Sequence, residues 1–379
     1  MADFLIQHPE LLDNRTAILD LAYEEYCLRE EAGEVLDADE FCQRFPRYQS
    51  TIRRLLVTHS LLRSPPSERP LRTPLEMPGR GDTFLSFQIK DELGRGAFGR
   101  VFLAEDTTLG NRQVAVKVSR HGKAEAGLLG KLAHPNIVPV HSVQHDVTSG
   151  LSAICMPYLG RTTLLDVLES LVVETLPKSG ATITRVLQAT NPGARVEAGL
   201  TRYRYEDAVA HLGAQLGEAL AHVHAQGILH RDLKPSNVLL TMDARPMLLD
   251  FNLSVASSEA TVDWGGTLPY MSPEQLRCIP PEIAPAGIDA RSDVYSLGVV
   301  LHELLAAEHP FGPIPLAGAK EELRDLLLER QRAGAPPSVN PSLSHSHELM
   351  KLVQGCLALE PARRPDAATL AKQLREYLS

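Results

Sequence analysis

In the second half of the chain stands His230-Arg231-Asp232-Leu233-Lys234-Pro235-Ser236-Asn237, followed by Leu248-Leu249-Asp250-Phe251-Asn252, an apolar strand that ends in an acid. Ahead of it, Leu212, Leu216, Leu220 and Val223 recur at helical spacing, and residues 299–305 continue that period further on. Upstream the pattern changes. From Phe84 the chain reads as short β-like segments at 87–93, 100–105 and 113–118, the latter two separated by a turn at Leu109-Gly110. Strands first and helices after is an α+β order, not an alternating βαβ one, and no internal repeat is visible.

The strand region carries Gly94-Arg95-Gly96-Ala97-Phe98-Gly99-Arg100-Val101. A GxGxxG spacing also opens helices in dinucleotide folds. Here Val101-Phe102-Leu103-Ala104 continues as a strand, so the loop joins two antiparallel strands. Glycines let backbone N–H groups approach phosphate oxygens without obstruction by Cβ. Beyond it, Val114-Ala115-Val116-Lys117 puts a lysine inside an apolar strand. A lysine in that setting is rarely buried without a partner, so it calls for anions around it.

Three further motifs follow: Gly266-Thr267-Leu268-Pro269-Tyr270-Met271-Ser272-Pro273-Glu274, Asp289-Ala290-Arg291-Ser292-Asp293-Val294-Tyr295-Ser296-Leu297-Gly298, and Glu360-Pro361-Ala362-Arg363-Arg364-Pro365. The set resembles the eukaryotic-like (Hanks-type) serine/threonine protein kinases that also occur in bacteria, over about residues 84–378. That resemblance implies an α+β, bilobal protein kinase fold, with a small antiparallel β N-lobe bearing one helix at about 84–156. A mainly helical C-lobe would occupy about 160–378, with an insertion at about 169–205. Pro177, Gly180, Pro192 and Gly193 suggest that the insertion is a surface loop.

The resemblance also implies roles, each sensible for phosphoryl transfer, which relies on positioning and charge neutralisation. Asp232 would accept the proton of the substrate hydroxyl, and Lys234 would neutralise the transferring oxygens. Asn237 and Asp250 would hold magnesium (manganese being an alternative), a hard cation suited to carboxylate and amide oxygens. Gly94, Gly96, Gly99, Val101 and Ala115 would surround ATP, and Lys117 would hold its α- and β-phosphates with Glu125 as ion-pair partner. Met156 and Leu159, in Ile154-Cys155-Met156-Pro157-Tyr158-Leu159, would meet the adenine at the hinge between lobes. Pro157 lacks an N–H, but the family uses only the carbonyl there. Asp293 would brace the catalytic loop, Glu274 would pair with Arg364, and His230 and Phe251 would be packing residues. Lys234 together with Thr267 is the serine/threonine pattern, implying transfer of the ATP γ-phosphate to Ser/Thr hydroxyls of protein substrates, with autophosphorylation.

Two departures bear on activity. Asn252 replaces the family's glycine, although asparagine is the next most tolerant residue of positive φ. Only eight positions separate Lys117 from Glu125, so the N-lobe helix should be short, at about 122–133. They motivate the alternative of a pseudokinase or scaffold that binds nucleotide and partners without efficient catalysis. A small-molecule phosphotransferase is a third reading, opposed by the docking loop at 266–274 and its arginine partner.

Residues 1–63 read as helical, with Tyr48, Ile52, Leu55, Leu56, His59 and Leu62 forming an amphipathic stripe behind an N-cap at Asp37. Residues 1–41 hold twelve acids against two arginines, whereas 43–63 hold five arginines and no acid. Two helices packed with opposite charges together would explain this; so would a segment that docks a partner or its own N-lobe. Five prolines between 64 and 80 indicate a linker.

Composition narrows the setting. The net charge of −9 argues against nucleic-acid and anionic-membrane binding. No apolar run reaches the ~18 residues of a spanning helix, and Met1-Ala2-Asp3 does not begin a signal peptide. Five cysteines without CxxC spacing fit small buried hydrophobes in a reducing cytoplasm, the expected location, and the resemblance implies a part in bacterial signalling.

Overall fold

The computed structural model describes residues 77–96, 99–120, 127, 130–173, 179–195, 198–251, 267–279, 287–315, 320–334 and 347–379, with a scatter of positions between 18 and 56. The chain divides into two units. One comprises Met1–Glu76 with Ile314–Leu323, the other Met77–Pro313 with Arg324–Ser379. Most of the expected linker at 64–80 lies outside the described residues.

In the first unit, α1 (Ala38–Gln43) starts at Asp37, whose carboxylate accepts the Glu40 N–H at 3.0 Å. Phe41, Tyr48, Ile52 and Leu56 are buried, which places the described part of the amphipathic stripe inside. The segregated charges meet: Arg44 Nη1 lies 2.7 Å from Glu25 Oε1, and the Arg44 guanidinium sits over the Phe41 ring at 5.0 Å. Burial opposes the charged form of Glu25, but the hydrogen bond and charge of Arg44 hold its carboxyl below the usual range.

The second unit opens with a sheet of β1 (Thr83–Phe84), β2 (Phe87–Gly96), β3 (Gly99–Asp106), β4 (Arg112–Ser119), β5 (Ser142–His145) and β6 (Ser152–Pro157). Every pairing is antiparallel, in the order β1-β2-β3-β4-β6-β5. The turn before β4 is made by Gly110, whose φ of 65° suits a residue without Cβ. Strand geometry sends alternate side chains to opposite faces. Phe102, Ala104, Val114, Val116 and Val118 are therefore buried on one face, each large one worth roughly 1.5–3 kcal/mol. The other face carries Val101, Ala115 and Met156, all half-buried, with Lys117 among them. The register aligns them, since Val101 opposes Lys117 and Ala115 opposes Met156.

The rest of the second unit is mainly helical, joined through β7 (Thr162–Thr163) to α2 (Leu164–Val173), α3 (Ala181–Thr190), α4 (Ala198–Arg202) and α5 (Tyr205–Ala225). A second sheet pairs β7 with β8 (Val238–Leu240) and β8 with β9 (Pro246–Leu248). It is followed by α6 (Pro273–Arg277), α7 (Ala290–Ala306), α8 (Lys320–Ala333), α9 (His347–Cys356) and α10 (Ala367–Tyr377). The leucines of α5 and nearly all of α7 are buried, so α7 is the central helix of one apolar core. Among the described residues no helix is long and apolar enough to cross a membrane.

The insertion corrects the expectation of a surface loop. Its α3 and α4 send Ile183, Leu187 and Leu200 into the main core. Gly180 is the N-cap of α3 and Pro192-Gly193 follows its end, so these residues punctuate a helix instead of spreading a loop. The short N-lobe helix lies largely outside the described residues; Gly127 is helical, and Gly130 and Lys131 already form a turn, so the expected extension to residue 133 does not occur.

Candidate active site

The loop before β8 is held from below by Asp293, near the start of α7. Its Oδ2 accepts the His230 N–H at 2.9 Å and its Oδ1 accepts the Arg231 N–H at 2.8 Å. His224 Nε2 lies 2.8 Å from the same carboxylate. Burial opposes the charge on Asp293, but His224 and the donated N–H groups keep its carboxyl below the usual range. Arg231 adopts φ 65°, a left-handed conformation that costs about 1–3 kcal/mol and persists only where its surroundings fix it. The two hydrogen bonds to Asp293 do so. His230 is fully buried, its Nε2 is 2.9 Å from the Leu249 carbonyl, and its ring packs against Phe251, tilted, with centroids 4.7 Å apart. His230 and Phe251 are thus packing residues that tie the loop to the strand ahead of Asp250.

Above this base, Asp232, Lys234, Asn237 and Thr267 converge. Lys234 Nζ donates to Asp232 Oδ2 at 2.8 Å and to Thr267 Oγ1 at 2.8 Å. Thr267 in turn directs its backbone N–H, at 3.1 Å, and its hydroxyl, at 3.2 Å, to Asp232 Oδ1. Asn237 Nδ2 donates to the Asp232 carbonyl at 2.8 Å and to its Oδ2 at 3.2 Å. Both carboxylate oxygens of Asp232 are held, which fixes the rotamer of the group expected to meet the substrate hydroxyl.

Lys117 reaches across from β4, its Nζ 2.6 Å from Asp250 Oδ1. The lysine side chain is 8 % exposed, so its charge would be costly without that carboxylate. Burial works to raise the Asp250 carboxyl, but the Lys117 ammonium, its hydrogen bond and the charge of Lys234 hold it below the usual range. Glu125 lies outside the described residues, as do Asn252 and the segment 252–266.

The glycines differ in what they need. A Cβ at Gly99 would stand 2.4 Å from the Val118 carbonyl oxygen, so the packing of β3 on β4 requires glycine there. A Cβ at Gly94 would meet nothing within 4 Å among the described residues. Gly96 closes the β2–β3 pairing opposite Gly99. At the hinge, Met156 and Leu159 pack on a small apolar cluster of Val138, Leu239 and Met247. The sequence reading missed this floor. Its signal is period two: Val238, Leu240 and Leu248 enter the main core, while Leu239 and Met247, paired in register, face the other way.

ATP and magnesium fit these groups. The Asn237 amide spends its nitrogen on Asp232, which leaves its oxygen as the end available to a cation, and Asp250 is held ionised. An amide and a carboxylate oxygen suit magnesium. Away from the cleft, Glu274 and Arg364 form a bidentate pair at 2.6 and 2.9 Å, with Ser292 Oγ donating to Glu274 Oε1 at 2.7 Å.

Two lobes, a glycine-bearing hairpin over one face and a lysine–aspartate pair across the cleft define a nucleotide-dependent phosphotransferase fold of the bilobal class. Residues 87–374 match the protein kinase domain model, and the chain belongs to that family. It is 31 % identical over 306 residues to the serine/threonine-protein kinase pkn2 of Myxococcus xanthus, covering 74 % of this chain and 31 % of that protein. It is 31 % identical over 302 residues to PknB of Mycobacterium leprae, with 74 % and 41 % covered. A third relative, PkaA of Streptomyces coelicolor, is 31 % identical over 317 residues, with 76 % and 49 % covered. The matched region spans about a third to a half of the length of these relatives.

Proposed function

We propose that the chain transfers the γ-phosphate of ATP to serine or threonine hydroxyls of proteins, itself included. The observation that carries this reading is the cluster at Asp232, in which Lys234, Asn237 and Thr267 fix both oxygens of one carboxylate. Asp232 takes the proton of the acceptor hydroxyl as that oxygen attacks the γ-phosphorus and the bond to the bridging oxygen of the departing ADP breaks. Lys234 neutralises the transferring oxygens from 2.8 Å beside it. Lys117 holds the α- and β-phosphates, and Gly94 and Gly96 let the backbone approach them. Val101, Ala115, Met156 and Leu159 enclose the base. Asn237 and Asp250 hold magnesium, which when bound draws charge from the phosphate oxygens. The names of the bacterial relatives and the Lys234–Thr267 contact support a serine/threonine preference.

Cys42, Cys155, Cys278 and Cys356 are buried and form no disulfide, which supports a reducing cytoplasm. That residues 1–63 dock a partner or the chain's own N-lobe is supported by their grouping in a unit with buried side chains of its own. The deciding experiment is incubation with γ-labelled ATP, magnesium and a generic acceptor protein, with phosphoamino-acid analysis and an Asp232→Asn control. Labelled serine or threonine that vanishes in the control is expected; no label with wild type would return the scaffold reading.

A further inference from the structure

The insertion has no part in the roles assigned above, yet its end reaches the hinge. Helix α3 is fixed in the core by Ile183 and Leu187, and Asn191 caps its C-terminus, its N–H donating to the Leu187 carbonyl at 2.9 Å. The Asn191 side chain belongs to a residue only 4 % exposed. Its Oδ1 accepts the Arg161 backbone N–H at 3.1 Å, and its Nδ2 donates to Thr162 Oγ1 at 2.5 Å. The Thr190 hydroxyl bonds the same threonine. There is little slack at this junction: a Cβ on Gly160 would meet Asn191 Oδ1 at 3.4 Å and the Leu240 carbonyl at 3.5 Å.

What Asn191 grips leads in two directions, both toward the nucleotide. Thr162 and Thr163 pair with Leu240 and Leu239, so β7 backs the strand that carries the floor beneath the hinge. Arg161 points the other way, its Nη2 3.0 Å from Asp91 Oδ2 in β2, three residues before Gly94. The β2–β3 register slips on both sides of this residue, between Ile89 and Asp91 and between Glu92 and Gly94. Bulges of that kind re-aim side chains. The result is an ion pair that crosses from the small lobe to the large one beside the hinge.

We propose that the insertion braces the nucleotide cleft: Asn191 is a positioning residue that fixes Arg161, and the Arg161–Asp91 pair limits how far β2 moves from the segment after the hinge. This rests on the reading of the cleft as an ATP site. Both partners are substantially exposed, 38 % and 47 % by side chain, so the pair is modest and sensitive to salt. An asparagine with every amide atom engaged and buried has a larger effect when lost.

The test uses the full-length chain and measures the dissociation constant and off-rate of a fluorescent ADP analogue with magnesium, alongside KM for ATP, kcat and melting temperature. Arg161→Ala and Asp91→Ala are surface changes expected to raise both the dissociation constant and KM about two- to fivefold, with faster release and kcat within about twofold. The two together should do no more than either alone, and the reversed pair Asp91→Arg with Arg161→Asp should restore binding. Salt at 0.5 M should bring wild type close to the single variants. Asn191→Ala should weaken binding about fivefold or more. A lowered melting temperature in Asn191→Ala with unchanged binding and KM would make it merely structural, and additive effects of the two surface changes would dissolve the pair; either result overturns the proposal. Because nucleotide binding is read apart from transfer, a wild type that binds ADP but transfers nothing would sink only the kinase reading. Failure to bind nucleotide would sink both.

Discussion

Lys117 and Asp250 lie 133 residues apart in the chain, and their charged ends are 2.6 Å apart. The pair joins β4 to the second residue after β9, which makes each group a counter-charge that helps hold the other in the cleft. On the proposed function, phosphate oxygens would take the place of Asp250 beside Lys117, and a bound cation that of Lys117 beside Asp250. These two charges are therefore matched to each other before any ligand arrives.

Lys117→Met and Asp250→Asn should each abolish transfer while leaving the fold intact. Methionine nearly conserves the volume of the lysine, and asparagine keeps the shape of the aspartate. Loss of a group that stabilises transition-state charge lowers the rate about 10²–10³-fold. Retention of more than a tenth of wild-type kcat at saturating ATP, with an unchanged circular dichroism spectrum, would refute the assigned role.

Thr267 offers a sharper measurement. Its hydroxyl stands between Lys234 and Asp232, accepting from one and donating to the other. Thr267→Val keeps the shape and removes both bonds, so kcat should fall about tenfold to a hundredfold, as expected for a misplaced catalytic pair. Thr267→Ser should retain most activity, and KM for ATP should move little in either. Equal kcat for the valine and serine variants would mean that the hydroxyl does not position the pair.

Glu274 and Arg364 test stability in place of catalysis. Both are almost completely buried, and the Arg364 guanidinium also lies 4.8 Å from the centre of the Tyr295 ring. Burial raises the Glu274 carboxyl, but the Arg364 and Ser292 hydrogen bonds hold it below its ordinary value of 4.5. A depressed folded pKa means that the stabilisation is fully present above pH 4.5 and lost as pH falls through the folded value. Glu274→Gln, which leaves a buried guanidinium uncompensated, should cost about 3–5 kcal/mol at neutral pH by chemical denaturation. The gap to wild type should shrink on acidification below pH 4.5. A gap that stayed constant to pH 3 would show that the ion pair is not its source.

The sequence made this much of the site legible because its chemistry is packed into short runs. Asp232, Lys234 and Asn237 fall within six residues, so local spacing nearly determines their geometry. The Asp293 brace and the Glu274–Arg364 pair came from resemblance, since contacts over such separations leave no periodicity to read. The insertion was misread for a physical reason: Gly180 and Pro192 break secondary structure in a loop and bound it at the ends of a helix, and composition alone does not distinguish the two. Arg161–Asp91 was invisible because two exposed charges 70 residues apart look like solvated surface.

Arg231 carries the last prediction. Its backbone is fixed by Asp293, but its Nε is buried and finds no hydrogen-bond acceptor among the described residues. Burial lowers the guanidinium's pKa, with the Asp293 charge acting against that. A buried donor without an acceptor costs about 1–3 kcal/mol, so an arriving anion is favoured there. A phosphate adds about −1.5 to −2 charge and forms charge-assisted hydrogen bonds to arginine. Ser257, Ser258 and Thr261 lie between Asp250 and Glu274, close enough in sequence to supply one, though all three fall outside the described residues. Thr267 is excluded because its hydroxyl already serves Lys234 and Asp232. Replacing the three candidates with alanine should lower activity at least several-fold, and phosphatase treatment of the wild type should do the same. In an Arg231→Lys background, which loses the forked donor, the alanine changes should have much less effect. Full activity in the triple variant would confine Arg231 to holding the catalytic loop.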